Sequence, residues 1–432
     1  MGLFGYQLVV TMIVASAVHK LSKYYSLGRW LLVDKLKFYC PPNQRDLPQL
    51  QGSRSKINGT KEEVYVPKNC DLNLKTSQIT LAELLSIHYY SDFRWLVDFT
   101  ASSSVVYICT RVYFCFNPTA MWSEYDLSAI WISLVLLYNV GVLVSITTMY
   151  FTNDLSTERS LCMVFTAFFL VCAMAILIVD ERNLEFGLDG SYNLLVKSFV
   201  NVTGVDQDYA VRVFPNWLLK SLLALLASMM GGLVTFPGFR CAQMHHGALA
   251  QLQKRPFYRI VHHINYILPM VVVFMWMTPL TRMPLTTGDI PIMTNQQFDQ
   301  WKMFLLYGTC VSRISLIWPH LQAYLEFVKH KIQIMRRGKE RVPLVQVQKK
   351  VVYVLKFLCA VGLQYTSPLI LLLTLTMLYN IAQSRQGTPH TPGIGIFSGC
   401  LSFLCWWVNF TWIITTTCGS IEHTFSLGHI LA

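Results

Sequence analysis

Residues 161–179 read LCMVFTAFFLVCAMAILIV and carry no charged side chain. A hydrocarbon core about 30 Å thick takes roughly 20 apolar residues of helix, and lipid offers no partner to a free backbone N–H or C=O. A stretch of this kind is therefore a membrane-spanning helix, and the rest of the chain has to fold around that fact. Similar apolar runs occupy residues 98–116, 127–150, 217–236, 264–280, 303–318, 351–382 and 396–418, with a shorter one at 3–18. The expected fold is all-α: a polytopic helical membrane protein of about nine membrane segments, or eight if the first is a cleaved signal peptide. A hydrophobic share of 53% against a charged share of 13% excludes an ordinary soluble domain. Residues 351–382 are too long for one perpendicular crossing, at about 48 Å of helix, and Pro368 predicts a kinked, tilted span.

Charge orients the segments. Connections 20–97, 151–160, 237–263, 319–350 and the tail from Gly419 hold 25 of the 35 Lys and Arg residues, whereas the alternate connections hold 6. The basic set is expected in the cytosol. Nine of the twelve cysteines fall within spans and the other three, Cys40, Cys70 and Cys241, on the basic side, so no disulfide framework is implied. The competing reading takes Ala15-Ser16-Ala17 as a signal-peptide cleavage site, but no basic residues precede the apolar run. Glycan occupancy separates the two: Asn201 (Asn201-Val202-Thr203) is the expected acceptor, and Asn58 (Asn58-Gly59-Thr60) is one only if it is lumenal. The organisation reads as an amino-terminal anchor or signal-like segment at 1–19, a polar basic region at 20–97 and a membrane domain at 98–432.

Near 320–337 the apolar residues Leu321, Tyr324, Leu325, Val328, Ile332 and Met335 recur at helical offsets, which predicts an amphipathic helix. Its remaining circumference includes Lys329, Lys331, Arg336 and Arg337, a candidate surface for anionic membrane lipid or a cytosolic or membrane-protein partner. Packing beneath the bundle is the plainer alternative. Nothing in the pattern points to nucleic acid.

Charges inside spans mark function because they are expensive there. Arg111, Lys220, Arg313 and Lys356 all lie close to a predicted span end, where long side chains reach the interface. Asn139, Gln364 and Asn409 sit near span centres and are candidates for a polar path, or else for hydrogen bonds between helices. Ala224, Ser228 and Gly232, spaced by four, predict close helix packing. The acidic Asp180-Glu181-Arg182 and Glu185 lack a calcium-loop pattern.

The stretch TFPGFRCAQMHH from Thr235 combines a Pro-Gly pair with Cys241, His245 and His246. Pro237-Gly238 predicts a helix break at the cytosolic face. Cys241 and His245 are four apart, and with His262 and His263 they form a conceivable zinc ligand set, although the spacing does not fix their distance. No Walker loop, GxSxG or HExxH is present in the sequence. The expectation is a non-enzymatic protein with no catalytic residues, no bound metal and no cofactor.

Ordered patches carry a resemblance over nearly the whole chain: YSLGRWLL from Tyr25, RWLVDFT from Arg94, ERSLC from Glu158, AMAILIV from Ala173 and LEFGL from Leu184. They continue through TFPGFRCAQMH from Thr235, HINYILP from His263, HLQAYL from His320, LQYTSPL from Leu363 and LSFLCWW from Leu401. On these residues the sequence resembles the transmembrane protein 161 family. The resemblance implies a multi-pass regulator or accessory protein influencing ion and calcium homeostasis, with a role in stress responses. An ion channel or transporter is the alternative it leaves, and a membrane-bound metal enzyme is a weaker one. The resemblance carries over no catalytic residue, and it leaves both endoplasmic reticulum and plasma membrane open.

Overall fold

The computed structural model describes residues 6–33, 35–42, 65–67, 74–118, 126–152, 156–179, 181–252, 255–287, 291–338, 341–385 and 394–431. In chain order the helices are α1 (Tyr6–Tyr24), α2 (Leu27–Leu32), α3 (Leu81–Leu85), α4 (Tyr90–Phe116), α5 (Ser128–Thr152), α6 (Ser156–Ile178), α7 (Leu188–Thr203) and α8 (Gln207–Val213). They continue as α9 (Asn216–Gln251), α10 (Pro256–Phe274), α11 (Asn295–Ser315), α12 (Ile317–Gly338), α13 (Leu344–Lys356), α14 (Leu358–Ser384) and α15 (Ser398–Leu431). Four three-residue strands, β1 (Lys37–Tyr39), β2 (Tyr65–Pro67), β3 (Thr76–Gln78) and β4 (Arg341–Pro343), form two antiparallel pairs, β1 with β3 and β2 with β4.

Among the described residues each segment expected to span contains α-helix, but six stretches are long and apolar enough to cross a membrane: Ser128–Met149, Arg159–Ile178, Gln207–Gln251, Pro256–Phe274, Leu344–Ser384 and Gly395–Phe425. The expected count of nine thus reduces to six on length and apolarity. In α4 the run is diluted by Asp98, Ser102, Ser103, Ser104 and Arg111, in α11 by Asp299, Lys302 and Arg313, and the apolar part of α1 is short. The protein is an all-α, multi-pass membrane protein.

α14 is the central post. Nearly all of it is buried, and its neighbours include α4, α5, α11 and α15. A second axis is the contact of α9 with α15 and α6. Three indoles pin this region: Trp407 Nε1 donates to Ala227 O at 2.7 Å, Trp406 Nε1 to Val273 O at 3.1 Å and Trp276 Nε1 to Ser402 Oγ at 2.9 Å. The small-residue seam of α9 meets α6, where Ser228 Oγ donates to Thr166 O at 2.9 Å. A β-carbon on Gly232 would lie 2.3 Å from Thr166 Oγ1, so the seam works through closeness that larger residues would forbid.

Two local expectations are corrected. The chain does not break at Pro237-Gly238, because α9 runs without interruption through both. Both residues are buried, and Gly238 lies directly against Thr415 of α15; packing against neighbouring helices lets a helix continue through a proline that would break an isolated one. The long segment after residue 343 is divided at Phe357, between α13 and α14, and α14 continues through Pro368.

The segments joined on one side form a folded cap. The apolar stripe Leu321, Tyr324, Leu325, Val328 and Ile332 is buried in one cluster with Leu32, Leu36, Phe38, Tyr39, Leu84, Val347 and Val351. Lys37 N donates to Gln322 Oε1 at 3.0 Å, Trp318 Nε1 to Leu31 O at 3.1 Å and Gln348 Nε2 to Pro42 O at 2.7 Å. Asp98 ties the cap to α4 by accepting from Ser26 Oγ at 2.6 Å and Gly28 N at 3.0 Å. The described parts of regions 20–97 and 319–350, both expected on the basic side from charge, therefore pack together.

Candidate functional site

Where the cap meets the bundle, five helices converge on a buried arginine. Helical spacing of four puts Cys241 and His245 on one face of α9, and His262 and Tyr266 on one face of α10. α11 contributes Arg313, α12 His320, α14 Tyr365 and α15 Trp412. Exposure is 5% at His245, 0% at His262, 4% at Arg313 and 1% at His320. His262 and His320 have ring centroids 5.4 Å apart, and His245 is 6.2 Å from His262 and 6.1 Å from His320. His245 also stacks on Tyr266 at 4.9 Å, and His320 faces Tyr365 at 5.2 Å.

Two bonds set the protonation pattern. His262 Nδ1 lies 2.8 Å from Tyr258 O, and His320 Nδ1 lies 2.7 Å from Leu316 O. A carbonyl only accepts, so Nδ1 carries the proton on both rings and Nε2 presents a lone pair in the neutral form. His262 Nε2 is buried and unpartnered.

Arg313 is the unusual member. Its guanidinium lies over the Trp412 ring at 4.4 Å, an attraction of charge to the ring face, while Nη2 is buried without a hydrogen-bond partner. Tyr365 donates its hydroxyl proton to the backbone carbonyl of Arg313 at 2.8 Å. No described carboxylate forms an ion pair with Arg313. Other inward-facing cations have a carboxylate nearby: Arg111 pairs with Asp126 at 2.8 Å, Arg282 pairs with Glu185 and, at 3.6 Å, with Asp299, and Arg385, 5% exposed, lies near Asp126 and over the Phe114 ring at 5.4 Å. Lys302, 4% exposed, lies over Trp276 beside that second acidic group.

A cavity of about 20 Å³ adjoins Arg313, bounded by Cys241, His245, Asn265, Tyr266, His320 and Tyr365 among others. A larger one, about 320 Å³, opens between α9, α12 and α15 past Arg240, His246, Phe327, His330 and His423. There His246 and His423 stack in parallel at 4.8 Å.

The conceivable zinc ligand set is brought together only as a neighbourhood. The structure brings Cys241, His245, His262 and His263 into one neighbourhood, with His245 and His263 ring centroids 6.2 Å apart. Among the described residues, however, no group of three or more His, Cys, Asp or Glu side chains is arranged to hold a metal ion. Arg313 beside the histidines also opposes a second positive charge.

The candidate polar-path residues lie inside the bundle, where Asn139 Oδ1 and Asn409 Oδ1 are buried with no hydrogen-bond partner among the described residues. Asn139 and Asn409 are 0% exposed and Gln364 1%. Asn139 Nδ2 donates across to Ser367 O at 2.8 Å, whereas Asn409 Nδ2 donates within its own helix to Cys405 O at 2.9 Å. Of the candidate lipid or partner surface, Lys329 is exposed with Nζ 4.9 Å from the Tyr39 ring centroid. Lys331 lies over Phe327 at 5.2 Å. Burial lowers the Lys331 pKa, reinforced by the charges of Arg240 and Lys350. Arg336 and Arg337 belong to α12, and their side chains lie outside the described residues. Asn201 is exposed near the end of α7, and Asn58 lies outside the described residues. Of the acidic group, Glu181 accepts from Asp189 N at 2.9 Å and Glu185 pairs with Arg282.

Arg313, expected to reach the interface from near a span end, instead turns inward and is 4% exposed, and His320 and His423 were not singled out from the sequence. His320 had a signal: one helical turn back from Tyr324 on the apolar stripe lands on it. Arg313 had none, because its position near a span end looks the same whether the side chain reaches water or turns inward.

The family model described as predicted transmembrane protein 161AB matches residues 2–385. No solved structure matches the chain.

Proposed function

The chain belongs to the transmembrane protein 161 family, and from that premise we propose that it is a membrane regulator or accessory protein influencing ion and calcium homeostasis. In this reading it has a stress-response role, acts without catalysis and resides in the endoplasmic reticulum or plasma membrane. The observation that supports an accessory role over conduction is the bond from Asn139 Nδ2 to Ser367 O. It commits the Asn139 amide N–H to the backbone of α14, as a contact between packed helices does. The cap supplies the face for a partner: its apolar stripe is occupied by its own chain, while Lys35, Lys37, Lys329, Lys349 and Lys350 remain exposed.

The alternatives are an ion channel or transporter and a membrane-bound metal enzyme. Reconstitution of the purified full chain into liposomes decides the first: no selective flux above that of empty vesicles is the expected result, and robust ion-selective flux without a partner would overturn the accessory reading. Elemental analysis of the same preparation decides the second, since stoichiometric metal retained through purification would favour the enzyme.

A further inference from the structure

We propose that Arg313 holds a small monovalent inorganic anion of about halide size in the small cavity where the cap meets the bundle. The argument starts from charge. A buried guanidinium is stable only when its charge is balanced and its N–H groups are satisfied. Arg111, Arg282, Lys302 and Arg385 each have Asp126, Glu185 or Asp299 near enough to balance their charge, whereas Arg313 has no described carboxylate beside it. The titratable groups acting on it are Cys241, Cys310 and Tyr365, and the Tyr365 proton is already directed to the Arg313 carbonyl. The ring of Trp412 covers one face of the guanidinium but accepts none of its in-plane hydrogens.

Space and donors point the same way. The adjoining cavity, about 20 Å³, has room for about one water-sized particle, which excludes a phosphate ester or carboxylic acid metabolite. Asn265 lines it, and its Oδ1 accepts from Ser312 Oγ at 3.0 Å, so Nδ2 is the end left to donate. Arg313 Nη2, buried and unpartnered, supplies the charge. A neutral water could occupy the volume, but it would leave the charge unbalanced. This inference does not depend on the accessory reading: an anion can be held for structure or regulation without crossing the membrane.

The test is equilibrium binding of radioactive chloride to the full chain, purified in detergent and exchanged into gluconate, whose bulk keeps it out of the cavity. The expected result is one saturable site per chain, displaced by bromide but not by gluconate. Arg313→Gln should lower affinity at least tenfold, and Lys356→Gln, which removes an exposed cation at the end of α13, should leave it unchanged. Absence of saturable binding to the wild-type protein would overturn the proposal, as would equal binding by Arg313→Gln. Should Arg313→Gln fail to fold, the wild-type isotherm still decides, with Asn265→Leu expected to weaken binding severalfold. Flux without saturable binding would overturn this proposal and the accessory reading together, whereas binding without flux supports both.

Discussion

Gly238 of α9 lies so close to Thr415 of α15 that a β-carbon built on it would stand 2.0 Å from Thr415 Oγ1 and 2.5 Å from Thr415 Cβ. Thr415 is itself fully buried and turns its hydroxyl back to Thr411 O at 2.9 Å, so it has little room to withdraw. The contact explains why a Pro-Gly pair sits inside a helix: Gly238 is there for the neighbour's approach, and α9 continues past it.

Gly238→Ala should therefore cost about 1–3 kcal/mol, the usual penalty for overpacking, and lower the thermal midpoint of the detergent-solubilised protein. Adding Thr415→Gly to it should recover part of the loss, because the two residues are coupled. An unaltered midpoint in Gly238→Ala would show that the helices separate freely here.

Asp98 is the clasp between α4 and the start of α2, accepting from Ser26 Oγ and Gly28 N. Asp98→Asn replaces a charged acceptor with a neutral one, and hydrogen bonds to charged groups contribute about 1.5–3 kcal/mol. The expected outcome is a lower thermal midpoint with faster proteolysis around residues 26–33. Ser26→Ala should have a smaller effect and add little in the Asp98→Asn background. Full additivity in that double-mutant cycle would mean that the two side chains do not interact.

The basic face of the cap is open to a binding measurement. Replacing Lys329, Lys331, Arg336 and Arg337 with glutamine, in protein held in neutral nanodiscs, should weaken association with anionic vesicles. Each such charge near an anionic surface contributes about 1 kcal/mol, and the loss should shrink as salt is raised. Binding equal to wild type at low salt would remove these residues from any lipid-facing role.

Sidedness has a chemical readout. Asn201 is exposed at the end of α7 and belongs to a connection poor in Lys and Arg, so Asn201→Gln should abolish a glycosidase-sensitive change in mobility. Asn58→Gln should leave that change intact. The opposite pattern would place residues 20–97 in the lumen and restore the reading in which the first segment is a cleaved signal peptide.

Much of this protein is decided by local rules. Leu161 through Val179 must be a helix across lipid because no other backbone arrangement satisfies its N–H and C=O groups there, and the stripe from Leu321 to Ile332 must find cover because its apolar residues share one face. The segregation of Lys and Arg into alternate connections likewise needs no coordinates, since it records which parts of the chain stay on one side. The covalent order of residues also carries the family patches that the match over residues 2–385 reflects.

What the sequence alone left open is how the helices fill one another's surfaces. A 3.6-residue period says which side chains share a face of one helix but nothing about which other helix that face meets. Arg313 near a span end can extend to water or fold inward, and its 4% exposure results from α9, α12, α14 and α15 closing around it. His245, His262 and His320 lie on separate helices and acquire a common environment only when the cap docks beneath the bundle. Pro237 can end a helix or ride within one, and the contact of Gly238 with Thr415 decides between them. Hydrophobic length and charge act along the chain and are read from it directly, whereas close packing and buried-charge balance depend on atoms distant in sequence, so only the tertiary structure determines them.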